Sequence, residues 1–141
     1  MNVAFLAQDT GQLYGAEQAT LRLIENLQAG GILQPLLLLI RESRLDYPSD
    51  NFRREAERLN IPHILLSTNR PFSWTLARQI RREVRQNHCA ILHTTGYKAD
   101  VHGWLACRNS ARLVSTVHGW LFRPNLKEQL YGLLNVIVLK K

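Results

Sequence analysis

The chain has 141 residues, of which 45% are hydrophobic and 21% charged, and this composition is typical of one ordinary globular domain. Its longest strongly apolar run, Leu36–Ile40, is too short to span a bilayer, and Met1–Leu6 lacks the basic start and cleavage site of a secretory signal. The net charge of +7, with 14 arginines among 18 basic residues, favours anionic partners, unless the arginines are simply solvated helix faces.

Short apolar runs alternate with segments of helical periodicity along the chain. The predicted strands are Asn2–Ala7, Leu36–Ile40, His63–Leu66, Cys89–Leu92 and Leu113–Val117. The predicted helices are Ala16–Ala29 (with Leu23, Ile24 and Leu27 on its apolar face), Asn51–Leu59, Ser73–Gln86, Tyr97–Cys107 and a last one carrying Leu126–Val138. Because strands alternate with helices, we expect a Rossmann-like, doubly wound parallel sheet with helices on both faces.

Three turns that follow predicted strands carry glycines or polar residues: Gly11–Gly15, His93–Lys98 and His118–Trp120. If the first strand is central and flanked by the fourth, the carboxyl ends of these strands share one crevice at the topological switch point. Gly11 and Gly15 would let the backbone approach a phosphate or a sugar hydroxyl. Their spacing matches neither the dinucleotide nor the P-loop fingerprint, so an ordinary strand–helix turn fits equally well.

Histidines and a lysine are the other candidates at this edge. His118 follows a buried strand, where it can hydrogen-bond a sugar, move a proton near neutral pH or simply cap the sheet edge. His93 is a weaker candidate of the same kind, and Thr95 adds a hydroxyl beside it. Lys98 lies in the first turn of a helix, where the dipole disfavours a cation, so we expect an anion nearby.

The cysteines and histidines form no recognisable metal motif. No C-x-x-C or H-x-x-x-H spacing occurs, so no metal site is predicted, and the absence of G-x-S-x-G argues against a hydrolase triad. Cys89 and Cys107 are therefore predicted to be plain buried thiols in a reduced, cytosolic setting.

Four arginines of the third predicted helix share one face at i, i+3, i+4 and i+7 spacing. They are Arg78, Arg81, Arg82 and Arg85. Such a stripe can rest on anionic lipid headgroups, or it can be a solvated face that Glu83 partly offsets. No nucleic acid is expected as a partner, because neither a recognition motif nor an aromatic platform accompanies the charge.

Three segments resemble family 4 glycosyltransferases. GAEQ at 15–18 resembles the family's G-G-A-E-R turn, HTTGYKADVHGWLAC at 93–107 its H-T-H-G-Y-K-A-D segment, and LVSTVHGWLF at 113–122 its V-S-T-x-H-G-W segment. The chain departs from these motifs at Tyr14, where a first glycine is common, and at Thr95, where a second histidine is common.

The resemblance implies the amino-terminal, acceptor-side half of a GT-B enzyme over residues 1–141, incomplete at its carboxyl end and without the donor-binding domain. Such enzymes transfer a sugar from a nucleotide sugar to an acceptor such as a glycan or a lipid-linked carrier, with retention of configuration and usually without a metal or other cofactor. By position, Gly15 and Gly11 would approach the donor, and His118 would be the catalytic residue beside the transferred sugar. The implied acceptor contacts are His93, Thr95, Gly96, Tyr97, Lys98 and Gly119.

The resemblance leaves other functions open. We expect little or no transferase activity from these residues alone, because a GT-B enzyme holds its donor mainly in the other domain. The alternative is a non-catalytic α/β module that binds a glycan, an anionic lipid or a partner chain. Under either function, a partner chain or self-association is expected. An unrelated nucleotide-binding domain is disfavoured, since both phosphate-loop fingerprints are missing. The predicted location is cytoplasmic, and peripheral at the inner membrane face if the arginine stripe contacts lipid.

Overall fold

The computed structural model describes residues 1–107 and 110–116, and within them a parallel sheet alternates with helices. The strands are β1 (Asn2–Gln8), β2 (Gln34–Glu42), β3 (His63–Thr68), β4 (Cys89–Thr95) and β5 (Arg112–Thr116). The helices are α1 (Gly15–Ala29), α2 (Asn51–Arg58), α3 (Trp74–Gln86) and α4 (Tyr97–Cys107). The five strands are all parallel in the order β3-β2-β1-β4-β5, so the Rossmann-like prediction and the central place of the first strand are confirmed.

The two faces of the sheet carry separate apolar cores because side chains alternate along each strand. On one face, Phe5 of β1 packs with Ile24 of α1 and Phe52 of α2. On the other face, Leu6 of β1 packs with Ile80 of α3 and with residues of α4. All five named side chains are at most 2% exposed, so helices cover both faces of the sheet.

Several details of the predicted elements are wrong. β2 and β3 run to Glu42 and Thr68 rather than to Ile40 and Leu66. β4 runs to Thr95 rather than to Leu92, so His93 and Thr95 belong to the strand, and Gly96 alone separates it from α4. In α1, Leu23 is 40% exposed, whereas Leu21 is buried beside Ile24. The predicted last helix, together with His118 and Gly119, lies outside the described residues.

The two cysteines are buried and carry free thiols, as predicted. Burial raises the pKa of Cys89, and it raises the pKa of Cys107 to about 11 even though Arg81 opposes the shift. Both groups are therefore protonated and unreactive near neutral pH.

Gly103 is the point where α4 packs most tightly on the sheet. A Cβ built on it would lie 2.6 Å from Cγ2 of Thr94 and 3.4 Å from Cδ1 of Leu113. We expect Gly103→Ala to destabilise the fold by a net ~1 kcal/mol, because an overpacking cost of about 1–3 kcal/mol exceeds the helix-propensity gain of about 1 kcal/mol. Urea denaturation measures the difference.

Gly30→Ala is the control for this comparison. At Gly30, which ends α1, the nearest atom to a built Cβ is 3.6 Å away, so its alanine variant should stay within about 0.5 kcal/mol of wild type. Equal free energies of unfolding for the two variants would contradict the tight packing of α4 on β4.

Candidate active-site crevice

The central strand β1 and its neighbour β4 each lead into a turn at the carboxyl edge of the sheet. The β1 turn leads into α1, and the β4 turn consists of Gly96, which is exposed and has a φ of 89°. The hydroxyls of Thr20 in α1 and Thr95 in β4 are 3.4 Å apart, so the two turns lie side by side. This is the switch point at which doubly wound sheets bind ligands.

The two glycines of the first turn play different roles. Gly11 is buried with a φ of 77°, and its carbonyl accepts hydrogen bonds from the Asn51 amide at 3.2 Å and from the Ser49 hydroxyl. Gly15 is exposed, and a Cβ built on it meets no described atom within 4 Å. Of the two predicted donor-side glycines, Gly15 has open space for a ligand, whereas Gly11 shapes the turn beneath it.

A charge cluster beneath this turn was not singled out from the sequence. Arg41 Nη1 lies 2.6 Å from Oδ1 of Asp50 and 3.6 Å from Oδ2 of the buried Asp9, and its guanidinium stacks 4.3 Å above the Tyr47 ring. The hydrogen bond from Arg41 lowers the pKa of Asp50. Asp9 Oδ1 also accepts from the Gly11 amide at 2.8 Å, so the cluster fixes the turn. The sequence does contain a signal for this cluster, because Asp9 directly follows β1 and Arg41 lies near the end of β2.

Lys98 forms a buried ion pair with Glu42 at the end of β2. The two side chains are 7% and 5% exposed, and Arg44 Nη2 adds a contact of 2.7 Å to the same carboxylate. Burial raises the pKa of Glu42, but Lys98 and Arg44 outweigh it, so this pKa lies below its ordinary value. The anion expected beside Lys98 is thus supplied by the protein, and the ammonium also donates to the Arg70 carbonyl at 3.3 Å.

His93 lies on the sheet face that α1 covers. Its ring meets Phe5 edge-on with centroids 5.2 Å apart, and its Nε2 is 2.8 Å from the Thr116 hydroxyl. On the opposite face, the hydroxyls of Thr94 and Ser115 both donate to Asp100 Oδ1, at 2.5 and 2.7 Å. These contacts tie β4, β5 and α4 together beside the crevice.

His102 joins α4 to the start of α3, a role that the sequence did not indicate. Its Nδ1 lies 2.8 Å from the Lys98 carbonyl, and its Nε2 accepts from the Ser73 amide at 3.1 Å. This pair of contacts requires the neutral ring with its proton on Nδ1. Burial lowers the pKa of His102, which agrees with a neutral ring.

The arginine stripe divides into two kinds of side chain. Arg81 donates to the carbonyls of Ala106 and Leu105 at 2.9 and 2.8 Å, and so holds the last turn of α4. Arg78 and Arg85 are exposed, and Arg82 is 62% exposed while it pairs with Glu83 at 2.8 Å. The four arginines and Gln86 line a surface groove of about 320 Å³.

Within residues 1–107 and 110–116, no three His, Cys, Asp or Glu side chains are grouped so that they could hold a metal ion. In the same part of the chain, no helix has the length and apolar character needed to cross a membrane.

The comparisons with known proteins agree with this architecture. The sequence signature of Glycosyltransferase Family 4 matches residues 14–139. The chain belongs to glycosyltransferase family 4. No curated protein matches the sequence significantly. The solved structures that resemble this family 4 domain include GT-B glycosyltransferases, which confirms the predicted fold family.

Three solved glycosyltransferases illustrate the likeness. HepE from Anabaena, solved with UDP, has a TM-score of 0.75 and 19% identity over 98% of this chain. A glycosyltransferase from Rickettsia africae has a TM-score of 0.68 and 20% identity over 99% of the chain, and the lipopolysaccharide outer core galactosyltransferase WaaB has 0.61 and 15% over 93%. The family 4 domain spans only 35%, 34% and 37% of these chains, which agrees with the predicted amino-terminal half. At such identities the likeness establishes the fold and not the substrate.

Proposed function

We propose that this family 4 domain is the acceptor-side part of a glycosyltransferase that transfers a sugar from a nucleotide sugar to a glycan or a lipid-linked carrier. The observation that carries the proposal is that two exposed turns, at Gly15 and Gly96, follow the neighbouring strands β1 and β4. HepE was solved with UDP, and also with UDP and glucose, which supports a nucleotide sugar as the donor.

Different residues of the crevice would bind the donor and the acceptor. The open backbone at Gly15 would face the donor phosphates, and Gly11 would hold that turn in shape. The acceptor would lie along the Gly96 turn, beside Tyr97 and the Lys98 ion pair. His93, Thr95 and Gly119 complete the proposed acceptor side.

The chemistry of the proposed transfer needs both sides of a cleft. His118 would act beside the transferred sugar as the catalytic residue, a role that rests on the family motif. A separate domain would hold most of the donor, and positioning together with electrostatic stabilisation would supply the catalysis. The proposed reaction retains the anomeric configuration and uses no metal or organic cofactor.

Chemical-shift mapping of the amides tests the division of the crevice. UDP-glucose should shift amides of Gly11–Gly15, and disaccharides should shift those of Gly96–Lys98, while Gly31 at the opposite edge of the sheet stays unchanged. Gly15→Val should abolish the response to UDP-glucose while leaving the free energy of unfolding near wild type, because the added side chain enters open space. Shift changes around Gly31, or an unaltered response in the Gly15 variant, would refute the assignment.

The groove between the arginines of α3 favours a second candidate function, which is binding to an anionic membrane surface. Arg78, Arg82 and Arg85 are exposed side by side, and each basic group near such a surface contributes about 1 kcal/mol. Arg81 is engaged with α4, so we assign the contact to the other three. The domain would then lie at the inner face of the cytoplasmic membrane, near a lipid-linked acceptor.

Vesicle binding tests this surface. We expect that changing Arg78, Arg82 and Arg85 to Gln weakens binding to vesicles containing phosphatidylglycerol about 100-fold, since roughly 3 kcal/mol is removed. The matched control removes the same charge from the helices of the opposite sheet face, at Arg22, Arg54 and Arg58. Equal losses in the two triple variants, or equal binding to neutral vesicles by wild type, would show that the groove has no specific role.

A further inference from the structure

A half-open cleft of about 440 Å³ lies at the carboxyl end of β3, on the same edge of the sheet as the crevice. None of its lining residues was predicted as a site residue. They are Asn69, Arg70, Phe72, Ser73, Trp74 and Thr75.

Two large aromatic side chains are exposed in this cleft. Trp74 is 62% exposed and Phe72 is 44% exposed, and their rings meet edge-on at a centroid distance of 5.5 Å. Asn69, Arg70 and Thr75 place polar groups around them. A pyranose ring has one apolar face of C–H groups and a rim of hydroxyls, so this combination of a flat aromatic surface with a polar rim is complementary to it.

The cleft is held by contacts from α4. The Phe72 ring lies 5.5 Å from the His102 ring, and the Ser73 amide donates to His102 Nε2 at 3.1 Å. Lys98 donates to the Arg70 carbonyl at 3.3 Å. A loop fixed in this way keeps its aromatic rings in place before a ligand arrives, which lowers the entropic cost of binding.

Lys98 also connects the cleft to the crevice. It lies two residues after Gly96, and its ammonium pairs with Glu42 at the end of β2, which is paired in register with the end of β3. Along the edge, the ends of β1 and β2 lie between the Gly96 turn and the cleft. On the face covered by α3 and α4, however, Lys98 contacts both Glu42 and the Arg70 carbonyl, so an acceptor that passes the Gly96 turn on that face would meet the cleft. We propose that the cleft binds a pyranose ring of the acceptor glycan, with Trp74 as the stacking surface; this rests on the proposed function.

The shape of the region favours a sugar over insertion into a membrane. The aromatic rings line a concave space with a polar rim, whereas an inserting loop presents a convex apolar tip. The apolar face of α3, with Leu76, Ile80 and Val84, is buried against the sheet, so the helix has no free apolar face to lay in a bilayer.

Titration of the ¹⁵N-labelled chain with maltose, lactose and chitobiose tests the cleft. At least one of these disaccharides should shift the indole N–H resonance of Trp74, assigned by its loss in Trp74→Phe. Trp74→Ala should weaken that Kd about tenfold or more, whereas Trp74→Phe, which keeps an aromatic face, should stay within about threefold. Ile32→Ala removes an apolar side chain that is 77% exposed in the turn before β2, and it should leave the Kd unchanged.

Each other outcome is informative. If a disaccharide shifts only Gly96–Lys98 and binds Trp74→Ala as well as wild type, the cleft is wrong and the proposed function stands. If no disaccharide shifts any resonance, both are wrong. If Trp74 responds only to vesicles of anionic phospholipid, the cleft is a membrane contact and the sugar proposal is overturned. Circular dichroism of Trp74→Ala should match wild type, because the replaced side chain is exposed.

Discussion

Lys98→Met should destabilise the fold by about 3 kcal/mol at pH 7, because it leaves the Glu42 carboxylate buried without its main partner. Removing one member of a buried ion pair costs about 3–5 kcal/mol, and we expect the lower end since Arg44 still contacts the same carboxylate. Urea denaturation measures the loss. A variant within about 1 kcal/mol of wild type would show that the pair is solvated.

The double variant Lys98→Met/Glu42→Leu separates the loss of a partner from the loss of the pair. A buried ion pair replaced by apolar groups of similar volume is often neutral or stabilising, so the double variant should recover to within about 1 kcal/mol of wild type. Glu42→Leu alone removes the carboxylate that pairs with the buried Lys98 ammonium, and it should be destabilised like Lys98→Met. A double variant that is less stable than both single variants would indicate that packing, rather than charge, holds this corner.

The pH dependence gives the same comparison a second readout. The lowered pKa of Glu42 means that its contribution to wild-type stability is present above the ordinary value of 4.5 and is lost as the pH falls through the folded-state pKa. In Lys98→Met the loss of the Lys98 ammonium raises the pKa of Glu42 relative to wild type, so protonation of this carboxyl costs the variant less. The stability gap between the two proteins should therefore narrow below about pH 5.

Local patterns were sufficient to predict the sheet and its helices. The periodicity over Tyr97–Cys107 matches α4 at both ends, and the apolar run Leu36–Ile40 lies inside β2. The spacing of apolar residues predicts these elements, because that spacing depends only on residues close together in the sequence. The end of β4 was misplaced because His93 and Thr95 are polar, although the parallel pairing with β1 continues through them.

The contacts that shape the crevice could not be predicted in the same way. The Lys98–Glu42 pair joins residues 56 positions apart, and no single-sequence pattern encodes such a distance. Arg81 belongs to the same helical stripe as the other three arginines. It differs from them because it donates to carbonyls in the last turn of α4, a contact that its spacing does not reveal. His102 lies inside a family motif, and its structural role could not be predicted because its contact with Ser73 depends on the packing of α3 against α4. Tertiary neighbours thus decide which polar residues at this edge are structural.

Gly11 and Gly15 looked equivalent in the sequence, and their alanine variants should differ sharply. At Gly11, a φ of 77° strains any other residue, and a built Cβ lies 2.5 Å from the Ser49 carbonyl oxygen, which is backbone and cannot swing away. The strained conformation costs about 1–3 kcal/mol, and the overlap adds about 1–3 kcal/mol more. We expect Gly11→Ala to lose about 3–4 kcal/mol of unfolding free energy.

Gly15→Ala is the matched control in the same turn. It lies at the start of α1, where a Cβ meets no described atom within 4 Å, so alanine should be neutral or stabilising by up to about 1 kcal/mol. The Asn51 amide, at the end of the segment between β2 and α2, donates a hydrogen bond to the Gly11 carbonyl. Gly11→Ala should therefore also speed amide hydrogen exchange at Asn51, whereas Gly15→Ala should not. Equal melting temperatures for the two variants would mean that Ser49 and Asn51 do not hold this turn. The opposite pattern would exchange the two roles, making Gly15 the structural glycine and Gly11 the one open to a donor.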